Sequence, residues 1–227
     1  MKKISKEIFS PYVYEKDSIR PMLEKPYPCG DYYVATDTVV LLMIKKDLVE
    51  GTFDEVKHAP NALKVIPQQN CELLLDRNTI ISALDNLPHE KEIEEVEPTI
   101  DCPECDGDGE VEWEYQDRKF YHHTKFMECP CCKGSGILRD AITRETGKMK
   151  VDCGSYIVLN GVNVWGPVLE VLVETIDMLG IKEVKLLTLR KDNSCMIKIA
   201  EGILFIFMST YSLDHAVAVY HVNIMPK

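Results

Sequence analysis

The chain has 227 residues, of which 45% are apolar and 28% charged, and its formal net charge at pH 7 is −11. This length and apolar content suit one large domain, or one domain with an insertion. The negative charge opposes binding to a phosphate backbone unless lysines and arginines cluster on one surface, so contact with DNA is disfavoured. No stretch approaches membrane-spanning length and the N-terminal segment lacks a signal peptide's apolar run, which predicts a cytoplasmic protein without membrane contact.

The first part of the chain predicts a pair of strands and then a helix. Apolar and β-branched residues predict strands over Tyr32–Thr36 and Val39–Lys45, joined by a turn at Asp37–Thr38. Leucines and isoleucines at roughly helical spacing predict a helix over Cys71–Leu87, which Pro88 ends.

An acid-rich run follows this predicted helix, from Asp85 to Pro98. Runs of like charge are typically solvated, so we interpret the segment as a linker. Coordination of a hard cation by the carboxylates of Glu90–Glu97 is the alternative interpretation.

Two copies of the pattern Cys-x-x-Cys-x-Gly-x-Gly come next, at Cys102–Gly109 and Cys129–Gly136. Each copy supplies two thiols at the spacing of a zinc knuckle, and two knuckles complete a tetrahedral four-cysteine site. The sequence therefore predicts one zinc ion per chain. A pair of redox disulfides, or a set of buried thiols, is the alternative. The expected ligands are Cys102, Cys105, Cys129 and Cys132.

The glycines of the two patterns have a separate role. After the second cysteine of a knuckle the backbone turns back so that its N–H groups point at sulfur, which favours residues that adopt a positive φ. Cys131 lies inside the second knuckle and can replace Cys132 as a ligand, or act as a resolving thiol; register with the first knuckle favours Cys132. The remaining cysteines show no framework spacing, which agrees with a reducing cytoplasm.

The segment between the knuckles predicts a hairpin. Apolar and acidic residues alternate over Glu110–Tyr115, and Phe120–Met127 is the expected returning strand. His122 and His123 on this strand are surface residues in the simplest interpretation and replacement metal ligands in the alternative. We expect about half of the hairpin's aromatic residues to be buried, because a small ribbon has little else to form a core. These aromatic residues are Trp113, Tyr115, Phe120, Tyr121 and Phe126.

The last third of the chain predicts further strands around one long helix. The helix is expected over Pro167–Leu179, with Pro167 in its first turn and Gly180 at its C-terminal cap. Its only charged residues, Glu170, Glu174 and Asp177, fall on one stripe. The predicted strands are Lys148–Val151, Ser155–Leu159, Glu183–Leu189, Cys195–Ile199, Ile203–Met208 and His215–Val222.

The paired knuckles resemble the cysteine-rich zinc module of the DnaJ co-chaperones. The resemblance covers about Asp101–Leu138. That module usually carries four repeats and two zinc ions, whereas this chain has two repeats and hence one expected site. The helical His-Pro-Asp segment through which DnaJ proteins engage their partner ATPase is missing from the sequence.

The rest of the chain is similar to one domain of a bacterial DNA sliding clamp, the β subunit of DNA polymerase III. Ile19–Lys45 resembles the clamp signature that leads through a strand into "VATDGHRL", and Val162–Leu179 and Ile203–Ser209 resemble a strand-to-helix step and a final strand. Where the clamp has Gly-His-Arg, this chain has Thr38-Val39-Val40, so polar residues of the clamp's partner-peptide pocket are replaced. Clamp helices present lysines and arginines to DNA, whereas Pro167–Leu179 contains neither.

Together these observations predict an α+β protein. Residues 1–98 and 141–227 would form a sliding-clamp-like domain of antiparallel sheets and two helices, and residues 99–140 an inserted zinc-bound β-hairpin. The function we expect is that of a non-enzymatic adaptor that binds other proteins, linked to DNA replication or a mobile element. The alternatives are a processivity factor that forms an oligomeric ring, and a DnaJ-like thiol or zinc holdase. Enzymatic activity is not expected, because a four-thiolate zinc has no open coordination position and no nucleophile motif occurs.

Overall fold

A computed structural model describes residues 3–13, 20–191, 193–210 and 212–225; Ile19, the first residue of the clamp-like segment, lies outside them. The chain divides into two compact units. The first unit comprises Met1–Glu90 and Lys150–Lys227, and the second comprises Lys91–Met149. The predicted insertion, residues 99–140, lies within the second unit.

The described residues contain sixteen strands, two α-helices and four short 3-10 helices. The strands are β1 (Tyr27–Cys29), β2 (Tyr32–Thr36), β3 (Val40–Lys45), β4 (Leu73–Asp76), β5 (His89–Glu97), β6 (Ile100–Asp101), β7 (Glu110–Gln116), β8 (His122–Glu128), β9 (Ile137–Arg139), β10 (Ile142–Val151), β11 (Ser155–Leu159), β12 (Val162–Trp165), β13 (Glu183–Thr188), β14 (Ser194–Ala200), β15 (Ile203–Met208) and β16 (Ala218–Val222). The helices are α1 (Arg77–Asp85) and α2 (Gly166–Met178), with 3-10 turns at Lys6–Tyr12, Pro21–Leu23, Lys46–Leu48 and Ala62–Val65.

The first unit contains two sheets. The larger has seven strands in the order β1-β2-β3-β15-β14-β13-β4, and its pairs are antiparallel. The smaller has the order β12-β11-β16, and β11 runs parallel to β16. The expectation of purely antiparallel sheets is therefore wrong at one pair, because β16 returns to β11 over a long connection instead of a hairpin.

The large sheet is buried on both faces. Successive residues of a strand point to opposite faces, so Leu42 and Ile44 of β3 enter the main core whereas Leu41 and Met43 enter a second, smaller core. The main core also contains residues of α1, α2 and the smaller sheet. The segment that includes Val56, Ala59 and Ala62 covers the second core. A strand buried on both faces has a continuous apolar sequence, which explains the run from Val39 to Ile44.

The helix predicted over Cys71–Leu87 is wrong in its first third. Leu73–Asp76 forms β4, which pairs with β13 at the edge of the large sheet. The Asp76 side chain accepts a hydrogen bond from the Asn78 N–H at 2.8 Å and so caps the start of α1. The helix ends at Asp85, before Pro88.

The acid-rich run is also a strand and not the linker we expected. His89–Glu97 forms β5, which pairs with β10 in a two-stranded sheet. The oppositely charged partners of its residues lie on β9 and β10. These strands are far along the chain from β5, so the charges of the acid-rich run alone do not reveal the pairing. The ion pairs are Glu90 with Lys150, Lys91 with Glu145, Glu94 with Arg144, and Glu97 with Arg139.

The remaining strand predictions are close to the structure. The three-strand meander Glu183–Leu189, Cys195–Ile199 and Ile203–Met208 corresponds to β13, β14 and β15, and the last predicted strand is shortened to Ala218–Val222. The helix predicted over Pro167–Leu179 is α2, one residue earlier at each end. Neither α-helix among the described residues is long and apolar enough to pass through a membrane.

Candidate functional site

The four predicted ligands meet in the second unit. The sulfur atoms of Cys102, Cys105, Cys129 and Cys132 all lie within 4.8 Å of one another, and the four residues are buried. The Sγ atoms of Cys102 and Cys129 are 3.8 Å apart, as are those of Cys105 and Cys132. Four close, buried thiols of this kind can hold a metal ion.

The two knuckles have equivalent backbone geometry. The Gly109 N–H donates to the Cys105 sulfur at 3.3 Å, and the Gly136 N–H donates to the Cys132 sulfur at 3.2 Å. Backbone hydrogen bonds also join the two knuckles. The Cys102 N–H donates to the Gly136 carbonyl and the Cys129 N–H donates to the Gly109 carbonyl, both at 2.8 Å. The predicted turn towards sulfur is therefore present.

Positive φ angles follow the second cysteine of each knuckle. Asp106 and Lys133 have φ of 49° and 56°, and the glycines after them have still larger values. A Cβ atom on Gly109 would overlap the carbonyl oxygen of Gly134, and one on Gly136 would overlap that of Gly107. The second glycine of each pattern is thus required by the close approach of the other knuckle as well as by its φ.

Burial and backbone hydrogen bonding act in opposite directions on the pKa values of the thiols. Burial raises the pKa of Cys102 and raises that of Cys105 to about 11. Burial also acts to raise the pKa of Cys132, but the Gly136 N–H and the neighbouring thiols outweigh it and bring that pKa down to about 7. Amide donors aimed at sulfur stabilise a thiolate, which is the form that binds a metal.

The geometry fits zinc. Tetrahedral Zn–S bonds of about 2.3 Å place the sulfur atoms about 3.8 Å apart, which is the separation in both cysteine pairs. A disulfide needs sulfur atoms about 2.05 Å apart, so the four thiols are not arranged as two disulfides. The four cysteines would hold the ion, and a bound zinc would supply the cross-link that orders the two knuckles.

The alternative ligands lie outside this cluster. Cys131 is exposed, whereas Cys132 is buried in the cluster, so the register of the first knuckle holds in the second. His122 and His123 lie on β8, where their ring nitrogens contact Gln116 at 3.2 Å and Asp117 at 3.3 Å. Both histidines are exposed surface residues.

The hairpin formed by β7 and β8 differs from our expectation. The strands pair antiparallel from Glu110 opposite Glu128 to Gln116 opposite His122. Val111 is the one apolar residue that packs against the four cysteines in the part of the chain that the structure describes. The prediction that half of the hairpin's aromatic residues are buried is wrong, because the cluster of thiols takes the place of an aromatic core. Exposed aromatic residues are Trp113, Tyr115, Phe120, Tyr121 and Phe126.

A second feature lies in the first unit, where the sequence shows only that Thr38-Val39-Val40 replaces polar residues of the clamp's partner-peptide pocket. A cavity of about 490 Å³ lies on the second face of the large sheet, beside the covering segment. Its lining is mainly apolar and includes Tyr27, whose hydroxyl is fully buried without a hydrogen-bond partner among the described residues. Side chains from the sheet and the covering segment line it, including Leu41, Ile206, Met208, Ala62 and Val65.

Two of the three acids of the α2 stripe are engaged within the first unit. Asp177 forms a two-point ion pair with Arg77 of α1, and this partner lowers the pKa of Asp177. The Glu170 carboxylate accepts the Val151 N–H at 3.1 Å, while its partial burial raises its pKa. Arg77 is the single basic residue within the two α-helices. The helices therefore offer no basic surface.

The chain is similar in fold to bacterial sliding clamps of known structure. The clamp of Caulobacter crescentus is 11% identical to this chain, with a TM-score of 0.42. The matched region covers 90% of this chain and 62% of the clamp. The clamp of Bacillus subtilis is 8% identical, with a TM-score of 0.44, and the match covers 91% of this chain and 61% of the clamp. A clamp of Bartonella birtlesii bound to griselimycin is 13% identical, with a TM-score of 0.43, and the match covers 91% of this chain and 63% of the clamp.

This chain thus spans about three fifths of the length of these clamps. Likenesses at this level identify neither a family nor an activity. No protein-family model and no curated protein matches the chain.

Proposed function

We propose that the chain is a non-enzymatic zinc-binding adaptor with a sliding-clamp-like first unit, which binds an apolar segment of a partner protein in the cavity of that unit. The cavity is the observation that carries this proposal. Its volume of about 490 Å³ falls within the range of roughly 300–1,000 Å³ that small ligands occupy in proteins, and such sites combine apolar walls with a few polar groups.

The position of the cavity supports a peptide as its occupant. It is lined by residues of two stretches that carry much of the sequence resemblance to the clamps: Thr36 and Thr38–Leu41 in the first, and Ile206–Met208 in the second. The corresponding clamp signature contributes to a partner-peptide pocket. Val39 and Val40 stand where the clamp has polar residues, so the proposed partner segment is more apolar than a clamp's partner.

The zinc has a structural role in this proposal. Four thiolates fill the coordination shell of a tetrahedral zinc and leave no position for a substrate or a water. The ion would hold the second unit, while the first unit has its own core of apolar residues. The proposal therefore separates the metal from the peptide site.

The test uses the full zinc-loaded chain and a defined probe, the dipeptide N-acetyl-Leu-Phe-amide, with N-acetyl-Ser-Asn-amide as the polar control. Binding is followed by NMR shift changes of the residues that line the cavity. Met208→Lys places a charge at the cavity, and Met178→Lys is the matched control, because Met178 is a similarly exposed methionine that does not line the cavity.

We expect the apolar dipeptide to shift the signals of lining residues, the polar one not to, and Met208→Lys alone to remove the effect. Equal binding by wild type and Met208→Lys, or no binding of the apolar dipeptide, would contradict the proposal. Zinc-dependent suppression of aggregation of an unfolded protein, with an unaffected cavity, would favour the holdase instead.

A further inference from the structure

The two faces of β7 are chemically different. Val111, Trp113 and Tyr115 share one face because they alternate along β7. Trp113 and Tyr115 are 53% and 64% exposed, and Tyr115 stacks on His123 of the facing strand with ring centroids 6.2 Å apart. Lys125 stands opposite Trp113 on the same face. An exposed pair of large aromatic side chains on one strand is typical of an interaction surface.

The other face of β7 is acidic. Glu110, Glu112 and Glu114 alternate with the aromatic residues, and Glu128 stands opposite Glu110. None of these four carboxylates is paired with a lysine or arginine among the residues that the structure describes. Three glutamates of β5 (Glu90, Glu94 and Glu97), in contrast, are paired with lysine or arginine of the same chain. The unpaired carboxylates thus leave a surface that complements a positive charge.

The charge of the whole second unit points the same way. Residues 91–149 contain fifteen acidic and eight basic residues, so most of the chain's excess negative charge belongs to this unit. A second copy of β7 would place glutamates against glutamates, which is repulsive. The surface therefore favours a cationic partner over self-association.

The edge of β7 offers a way to bind such a partner. β7 and β8 form a two-stranded sheet, so the outer edge of β7 has no strand beside it among the described residues. An extended peptide can add a strand to an exposed sheet edge, with main-chain hydrogen bonds for affinity and alternate side chains for specificity. Glu110, Glu112 and Glu114 are two residues apart, so they would face every second residue of an added strand.

The tip of the hairpin is ordered by its own hydrogen bonds. The Asp117 carboxylate accepts the N–H groups of Lys119 at 2.7 Å and Tyr121 at 3.1 Å, and the Asp117 N–H donates to the Tyr121 carbonyl at 3.0 Å. Phe120 has φ of +66°, which is unusual for a bulky residue, and it is 79% exposed. A preformed tip lowers the cost of ordering this end of the hairpin at binding.

We propose that the outer edge of β7 binds an extended, basic segment of a partner protein in which lysine or arginine alternates with apolar residues. Its cations lie opposite Glu110, Glu112 and Glu114, and its apolar side chains lie beside Trp113 and Tyr115. This site is independent of the cavity of the first unit, so either can fail without the other.

The experiment uses the full zinc-loaded chain and two blocked octapeptides of identical composition. One alternates lysine and valine, and the other has four lysines followed by four valines. Affinity is measured by calorimetry at low and moderate salt, and NMR shifts locate the binding. The variants are Glu112→Lys, Trp113→Ser and, as the matched control, Glu95→Lys. Glu95 is an exposed glutamate of the same unit, on β5.

We expect the alternating peptide to bind more tightly than the blocked one and to shift the amides of β7. Glu112→Lys should weaken it roughly fivefold, since an exposed pair is replaced by a repulsion, while Glu95→Lys leaves it unchanged. Trp113→Ser should weaken it at every salt concentration. Zinc content verifies that each variant is folded.

A charge swap provides the second readout. An alternating peptide with glutamate in place of one central lysine should bind Glu112→Lys better than it binds the wild-type chain. Equal affinity for the two lysine peptides, an equal effect of Glu95→Lys and Glu112→Lys, or no rescue by the charge swap would overturn the proposal. Dimerisation that Glu112→Lys strengthens would assign the edge to a second copy instead.

Discussion

Gly136 faces the carbonyl oxygen of Gly107 so closely that a Cβ atom at position 136 would overlap it. The same relationship holds between Gly109 and Gly134, so each knuckle is packed against the glycine pair of the other. The glycines of the two patterns therefore set the approach of the knuckles, and with it the separation of the sulfur atoms.

Gly136→Ala should weaken metal retention for this reason. The added methyl group pushes the knuckles apart, and we expect zinc to pass to a chelator faster than from the wild-type chain. Gly147→Ala is the matched control, because Gly147 also has a positive φ, +82°, but nothing lies within 4 Å of its added Cβ. It should show only the strain of the φ, about 1 kcal/mol of stability. Equal zinc loss in both variants would assign the effect to φ alone.

The first unit should fold without the second. Lys150 pairs with Glu90 at 3.4 Å, and the Asp152 N–H donates to the Pro88 carbonyl at 2.9 Å, so the two chain ends lie side by side in the first unit. We expect a chain in which Asn-Gly replaces residues 91–149 to keep a cooperative thermal transition and a near-UV signal. Loss of both signals would show that the second unit is integral to the core.

Several of these features follow from the sequence because their causes are local. The four ligands are fixed by spacing within each knuckle, and the strands Tyr32–Thr36 and Ile203–Met208 by continuous apolar and β-branched residues. The boundary between β4 and α1 does not follow from the sequence, since Leu73–Leu75 fit a helix as well as an edge strand. Only the pairing with β13 and the cap by Asp76 decide between them.

Other features depend on residues far away in the chain. The acids of β5 form a strand because their cation partners lie on β9 and β10, about fifty residues later. The aromatic residues of the hairpin are exposed because the thiol cluster replaces an apolar core, which composition does not reveal. The cavity depends on how the covering segment meets the large sheet, and this is a tertiary property.

Tyr27→Phe separates binding in the cavity from stability. The Tyr27 hydroxyl is buried without a partner, so its removal should leave the thermal stability equal or higher. Because this hydroxyl is closed off from solvent, a peptide in the cavity does not reach it, and the affinity for N-acetyl-Leu-Phe-amide should stay within about twofold of the wild-type value. Tyr12→Phe is the control, because the buried Tyr12 hydroxyl bonds to Thr175; it should lower stability and leave affinity unchanged.

Binding to duplex DNA should be weak even at low salt. The chain has a net charge of −11, and Arg77, the basic residue of α1, is held by Asp177 of α2. A protein that neutralises several phosphates loses affinity steeply between about 50 and 200 mM salt. Appreciable affinity with such a slope, or an oligomeric ring that retains circular DNA, would favour the processivity factor over the adaptor.

X-ray absorption at the zinc edge on the purified chain, together with its metal content, tests the four-cysteine zinc site most directly. We predict one zinc per chain with four sulfur neighbours at about 2.3 Å, unchanged in Cys131→Ser and lost in Cys132→Ser. Absence of zinc, fewer than four sulfur neighbours in the wild-type chain, or full zinc retention in Cys132→Ser would contradict it.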